Sequence, residues 1–485
     1  MTHRITFLPQ NQTAQAPHGV TIMDVARQIG VPIDSTCGGR GTCGKCEVTL
    51  IPGGRQLACC AVINRDFVVE VPPLPAITSE ISCQPAENAE LGLALDIGTT
   101  TITAAILDLH TGETLAAGSI RNRQASYGAD VIDRISYTMT HADGLTLLRC
   151  AVKDSVNDLV SRLIGRRADI HEAIAVGNTT MLHIFLGVSP ESIGVAPFSL
   201  ALEGPSTMTA AEIGLNLHSE AHVSTLPHLG AYVGADTVAG ILATNLLRHD
   251  DGKPRLFLDI GTNVEIVLTT GERTLCTAAP AGPAFEGAHI RCGMAASDGA
   301  IDAVAITDDI HLCVIGDQWP PVGICGSGLI SAVAALRKSG LLDSSGRLVT
   351  PSAAFVLSSA NDIVLTQRDV RALQYAKAAV ATGTSLLLAE MGVAPIDLEE
   401  VLLAGAFGSS IDPESARVIG LVPRVPLERV VPVGNAALAG ARIALLSCEQ
   451  RQAANQIPEH VEYLELSGQP EFNDFFLAAL AFPAI

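Results

Sequence analysis

A five-residue phrase written twice constrains this chain more than any other feature. Leu95-Asp96-Ile97-Gly98-Thr99 recurs as Leu258-Asp259-Ile260-Gly261-Thr262. Each copy is an apolar strand ending in a carboxylate, then a glycine turn with hydroxyls, then a second strand: Ile102 to Leu109 in the first, Val264 to Thr269 in the second. Both copies next reach a Thr-Gly-Glu turn, Thr111-Gly112-Glu113 and Thr270-Gly271-Glu272, and open a third strand. A duplicated three-stranded meander is a statement about the fold as well as a motif.

The chemistry of the repeat points to phosphate. Glycine lets the backbone approach closely and turn its N–H groups toward phosphate oxygens, and threonine hydroxyls add donors. Asp96 and Asp259 stand where a strand gives way to its turn. That placement suits a hydrated Mg²⁺, which keeps several waters and takes few protein carboxylates. One such turn also fits an ordinary hairpin; two matched copies favour the nucleotide reading.

The chain has 485 residues, room for about three domains with cores of their own. Hydrophobic residues make up 48% and charged residues 16%, yet no apolar run is long and uninterrupted enough to span a bilayer. The start lacks a signal-peptide core, so the expected location is the cytoplasm. A formal net charge of −20 argues against a general binder of nucleic acid or anionic membrane.

Twelve cysteines without an export signal indicate thiol, metal or redox chemistry rather than disulfides. Four fall between positions 37 and 59, the first three in Cys37-Gly38-Gly39-Arg40-Gly41-Thr42-Cys43-Gly44-Lys45-Cys46, which runs into a strand from Glu47 to Ile51. Three thiolates in a glycine loop wrap an inorganic cluster well, because glycine exposes backbone N–H groups to the sulfurs. A fourth thiolate downstream, Cys59 or Cys60, completes the ligation of a 2Fe-2S centre. Zinc is the rival metal, but its structural sites use two short cysteine knuckles and only one C-x2-C is present.

Ahead of this loop the pattern predicts strands at residues 4–8 and 19–22 and a helix from Met23 to Ile29. Behind it, residues 72–90 carry prolines and polar residues without periodicity and read as a linker that tethers the cluster domain. Further along, Tyr127-Gly128-Ala129-Asp130 leads a helix from Val131 to Met139, and Gly177-Asn178-Thr179-Thr180 opens another. Asp236 precedes an apolar helix and is either its cap or a site carboxylate. Glu286 is the most interesting acid of the small-residue stretch 280–299. Cys325, in Gly323-Ile324-Cys325-Gly326-Ser327-Gly328, reads as part of a close-packed turn more readily than as a reactive thiol. Strands at Val401-Leu402-Leu403 and Val430 to Val433 both end in glycine turns, which places ligands at their carboxyl ends.

Residues 1 to 75 resemble the plant and vertebrate-type 2Fe-2S ferredoxins, a β-grasp fold. That resemblance implies Cys37, Cys43 and Cys46 as ligands, with Cys59 as the fourth, because Leu57-Ala58-Cys59 is similar to the family's Leu-Ala-Cys segment. The chain departs from the family in placing only residues 47–58 between the third and fourth ligands. The remainder resembles the superfamily of acetate and sugar kinases, actin and chaperone ATPases, in which duplicated ribonuclease H-like lobes close on ATP. The resemblance implies a first phosphate turn at Asp96, Gly98, Thr99, Thr100 and Thr101, and a second at Asp259, Gly261, Thr262 and Asn263. It implies an adenosine turn at Gly405, Ala406, Phe407 and Gly408, with Asp96 and Asp259 ordering Mg²⁺ and its water. The expected fold class is therefore an α+β β-grasp ferredoxin domain plus an α/β two-lobed actin-like ATPase. Its expected borders are 1–71 for the ferredoxin domain, 72–90 for the linker, 91–250 for lobe I, and 251–485 for lobe II with a C-terminal extension.

Together these parts resemble the reductive activators of corrinoid-dependent enzymes, through motifs that include Ala281-Gly282-Pro283-Ala284-Phe285-Glu286-Gly287 and Leu403-Ala404-Gly405-Ala406-Phe407-Gly408. Compared with longer members, the chain is expected to pass almost directly from cluster domain to ATPase, without middle domains. The family resemblance implies reduction of a Co(II) corrinoid to Co(I) with ATP. The implied partners are a corrinoid protein or methyltransferase and an external low-potential electron donor, with no nucleic acid and no membrane; a homodimer is left open. A small-molecule kinase fits the nucleotide fold but has no use for a cluster. Activators of radical dehydratases share the ATPase fold but hold a 4Fe-4S cluster between two subunits. A nucleotide-linked redox sensor is the non-enzyme alternative.

Overall fold

The computed structural model describes the chain except residues 1, 32, 34–38, 40, 42–45, 73–78, 82–89, 166, 203, 250, 288, 317–318, 350–352 and 406–409. The first sheet has the strand order Gln12–Pro17, Thr2–Leu8, Phe67–Glu70, Glu47–Ile51, Gly54–Leu57. Thr2–Leu8 runs antiparallel to Gln12–Pro17 and parallel to Phe67–Glu70, the mixed pairing of a β-grasp. Alternation sends Ile5, Phe7, Val48, Leu50 and Val69 to one face, where they bury Met23 and Ala26 of the helix Ile22–Gln28. Thr21 and Asp24 close that helix's start as a reciprocal capping box.

Two readings of this region are corrected. Residues 19–22 do not form a strand; Thr21 makes one isolated bridge to Val62 and Ile22 already begins the helix. The second strand is Gln12–Pro17, a sheet edge on which only Ala16 is buried, so it carries no hydrophobic alternation to read. Within the stretch expected to be linker, Ser79–Ile81 pairs antiparallel with Thr114–Arg121, so those residues extend a sheet edge.

The repeat builds two sheets of one design. In one, Leu91–Ile97, Thr101–Asp108 and Thr114–Arg121 form an antiparallel meander, and Ile170–Gly177 and His222–Thr225 lie on its other side. In the other, Arg255–Ile260, Val264–Thr269 and Thr274–Ala279 form the meander, and Glu400–Ala404 and Val430–Gly434 add in parallel. The strands that run into each repeat, Leu91–Ile97 and Arg255–Ile260, are buried on both faces, which is why they read as nearly continuous apolar runs. The chain divides into two compact units, residues 1–175 with 180–225, and residues 176–179 with 226–485. Among the described residues no helix is long and apolar enough to cross a membrane.

Candidate functional site

In the cluster domain the hairpin of Glu47–Ile51 and Gly54–Leu57 does the positioning. Its register pairs Glu47 with Leu57, and Ala58 N–H donates to the Cys46 carbonyl over 2.8 Å. Cys46 and Cys59 therefore flank the open end of one hairpin, with Sγ atoms 3.2 Å apart. The short segment between them is thus a tight hairpin, which accounts for its departure from the ferredoxin spacing. Cys46 is buried, Cys59 partly buried, and Cys60 exposed with its sulfur 3.7 Å from that of Cys59. Burial first, then the adjoining Cys46 sulfur, pushes the Cys59 thiol up to about 12. A crowded thiol of this kind becomes a thiolate only against a compensating cation. Iron provides one, so the described donors fit a cluster. Cys37 and Cys43 lie outside the described residues.

At the first phosphate turn, Asp96 is partly buried near the end of its strand, and Thr99 is buried. Gly98 is demanded by packing: a Cβ there would stand 2.4 Å from the Thr101 carbonyl oxygen. The turn rests on two fully buried polar side chains that sequence reading did not assign. Asn122 donates through its backbone N–H to the Thr100 carbonyl (2.8 Å) and through Nδ2 to the Gly98 carbonyl (3.0 Å). Arg134 donates through Nη2 to the Thr99 carbonyl (2.6 Å) and through Nε to the Gly128 carbonyl (3.2 Å). A cation on the buried stripe of the helix Val131–Thr140 is the only sequence signal of that role.

The second turn gathers acids. Asp259 stands one residue before the end of Arg255–Ile260, and Thr262 Oγ1 donates to Glu286 Oε1 over 2.6 Å. Glu286 is thereby joined to the phosphate turn. Glu265, missed by sequence reading, is 6% exposed in the strand Val264–Thr269. Burial, then the charges of Asp236 and Asp259, hold its carboxyl well above the usual range. Gly234 occupies the N-cap of the helix Ala235–Thr244, so Asp236 is not its cap; Asp236 accepts from Thr237 N–H, and its charge acts on Glu265. The lone acid in Val-Glu-Ile-Val-Leu was the available clue.

Gly405 takes a left-handed φ of +113°, and a Cβ there would meet the Ile260 carbonyl oxygen at 2.4 Å. The start of the turn expected to border adenosine thus lies directly against the end of the strand Arg255–Ile260. Ala406, Phe407 and Gly408 lie outside the described residues. Cys325 is the N-cap of Gly326–Lys338, with its sulfur 3.3 Å from the Ile301 carbonyl oxygen. A Cβ at Gly326 would overlap the Phe285 carbonyl oxygen at 1.8 Å, in keeping with a close-packed turn. Asn178 and Thr179 are buried at a helix start, and Thr179 Oγ1 donates to the Gly230 carbonyl.

A β-grasp domain with converging thiols, joined to a duplicated nucleotide-binding fold, defines an iron–sulfur ATPase of the activator class. Residues 5–64 match the 2Fe-2S iron-sulfur cluster binding domain, 91–249 the RACo middle region, and 253–485 the C-terminal domain of RACo, the ASKHA domain. The chain is 34% identical to the corrinoid activation enzyme RamQ of Eubacterium limosum, over 81% of this chain and 70% of that protein. It is 27% identical to the [Co(II) methylated amine-specific corrinoid protein] reductase of Methanosarcina barkeri, over 81% of this chain and 77% of that one. A solved reductive activator for corrinoid, iron-sulfur protein superposes with a TM-score of 0.77 at 29% identity, covering 99% of this chain and 98% of that one. The chain belongs to the family of reductive activators of corrinoid proteins. The expectation that it lacks a middle domain is corrected: the segment read as lobe I, with the first phosphate turn, matches the middle region.

Proposed function

We propose that this chain uses ATP to return the Co(II) corrinoid of a corrinoid protein or methyltransferase to Co(I), in the cytoplasm. The observation that carries the redox half is the 3.2 Å approach of Cys46 and Cys59 on one hairpin. Cys37, Cys43, Cys46 and Cys59 hold the 2Fe-2S centre. That centre supplies one electron at a potential near −400 mV, drawn from an external low-potential donor.

The two turns, Asp96 to Thr101 and Asp259 to Asn263, bind the phosphates, and Gly405 to Gly408 borders the adenosine. Asp96 and Asp259 order Mg²⁺ and its water. Glu265, which burial and the charges of Asp236 and Asp259 push toward its protonated form, is a group able to hold a proton near the cleaved phosphate. ATP assists an uphill reduction only by favouring conformations or complexes in which cobalt accepts the electron more readily. Each 59 mV of that help corresponds to about 1.4 kcal/mol for one electron. The domain borders that serve this reading are 1–71, 72–90, 91–250 and 251–485.

The test mixes the anaerobic, iron-loaded protein with a chemically reduced donor and a candidate corrinoid protein, and follows Co(I) by absorption. Co(I) should form with ATP, and more slowly by tenfold or more with Asp259→Asn. Equal rates without ATP, or with the iron removed, would sink the proposal.

A further inference from the structure

Residues 122–128 touch two things at once. On one side, Asn122 and Arg134 bind the carbonyls of Gly98, Thr99 and Thr100 in succession. Arg134 is itself tied to this segment, through Nη1 to Gln124 Oε1 (2.9 Å) and through Nε to the Gly128 carbonyl. On the other side, the same segment holds the cluster domain. Arg27 Nε donates to the Ser126 carbonyl over 2.6 Å, Tyr127 OH donates to the Arg27 carbonyl over 3.2 Å, and Ser126 Oγ donates to the Ile33 carbonyl over 3.0 Å. Asn122, Gln124, Ser126 and Tyr127 are all buried, so these bonds do not compete freely with water. The Arg27 guanidinium also lies against Gly39 of the cysteine loop, where an added Cβ would come within 2.9 Å of Nη2. The guanidinium also lies 4.0 Å from the Asp24 carboxylate.

We propose that the 122–128 segment is a mechanical link by which nucleotide at the first phosphate turn sets the docking of the cluster domain, with Arg27 as the positioning residue. The argument rests on peptide geometry. A carbonyl and the following N–H lie in one rigid plane. The carbonyls of Gly98, Thr99 and Thr100 are therefore fixed to the N–H groups of Thr99, Thr100 and Thr101, which belong to the phosphate turn. Phosphate that draws those N–H groups must rotate the same three planes against Asn122 and Arg134. Their buried partners pass the displacement to Ser126 and Tyr127, and so to the helix Ile22–Gln28. A tethered domain with no such contacts would not sense nucleotide. The link deepens the proposed function and rests on it, since it assumes nucleotide at Asp96 to Thr101 and a cluster on the cysteines.

The experiment is amide hydrogen exchange on the full, iron-loaded chain, with and without Mg²⁺ and the non-hydrolysable analogue β,γ-imido-ATP. In the wild type, exchange should slow at residues 91–121 and also at residues 22–33, the latter by about fivefold or more, the lower end of typical coupling between sites. Arg27→Ala and Tyr127→Phe should lose the response at 22–33 while keeping the response at 91–121 and the iron content. A purely structural contact would change basal exchange at 22–33 but not its dependence on nucleotide. The proposal is overturned if wild-type 22–33 ignores nucleotide while 91–121 responds, or if both variants respond as the wild type does. No response at 91–121, or no iron in the wild type, would instead overturn the functional reading beneath it, and the link with it.

Discussion

Cys59 and Cys60 are neighbours in sequence yet differ in burial, and the difference supports Cys59 as the proposed fourth ligand. Cys59 turns toward buried Cys46, whereas Cys60 faces solvent. Cys59→Ser should therefore abolish the visible absorption and leave well under the about two irons per chain that a 2Fe-2S centre requires, while Cys60→Ser should keep both. Iron and sulfide analysis beside absorption spectra checks this; equal loss in both variants would refute the assignment. The paired aspartates were legible because their turn is repeated. Arg134, Asn122 and Glu265 were not, because what gives them a role lies far along the chain: Thr99 for Arg134, Asp236 for Glu265.

Among the elements, the approach of Gly405 to the strand Arg255–Ile260 leaves no room for a side chain. Gly405→Ala combines a left-handed φ with a clash against backbone. It should weaken binding of an ATP analogue by tenfold or more in titration calorimetry, with iron content unchanged. The helix Gln367–Glu390 presents a different case. Lys377 is 1% exposed, donates to the Ala481 carbonyl and lies 5.0 Å from the centroid of the Phe482 ring. Burial, then the nearby Arg337, lowers its pKa to about 8.

Because that folded value lies below the unfolded one of about 10.4, the unfolded chain binds more protons between them. Lys377 therefore makes stability rise with pH from about 8 to about 10. Lys377→Met should flatten that rise when wild type and variant are compared by thermal unfolding at several pH values. An unchanged slope would show that the lysine is not buried in solution. The strand Gln12–Pro17 and the edge strand Ser79–Ile81 escaped sequence reading for a common reason, since edge strands need little apolar alternation.

For the whole molecule, the proposed function places iron on the β-grasp domain and nucleotide on the duplicated ATPase fold, and the two are expected to act on different parts of the chain. A non-hydrolysable ATP analogue at about 100 times its Kd should add about 2.7 kcal/mol to the stability of the nucleotide-binding part. Chelating the iron should destabilise residues 1–71 and leave most of that gain in place. Calorimetry of the full chain, with and without chelator, reads both effects; loss of the nucleotide gain on iron removal would mean that the parts fold as one. With a net charge of −20, a partner that docks on this chain through charge is expected to present a basic surface, and their association to slow as salt rises.

The sequence alone determined the duplicated fold, its two repeated glycine turns, the glycine loop with its cysteines, and the apolar strands that flank the repeats. These features are written in consecutive residues, as repeat, period and spacing. Only the tertiary structure decided that residues 47–58 close as a hairpin bringing Cys46 to Cys59, and that Gly234 rather than Asp236 caps the helix Ala235–Thr244. It alone placed one short segment between the phosphate turn and the cluster domain. Such facts depend on which strands become neighbours and on which side chains are then denied water, and neither is set by any local stretch of chain.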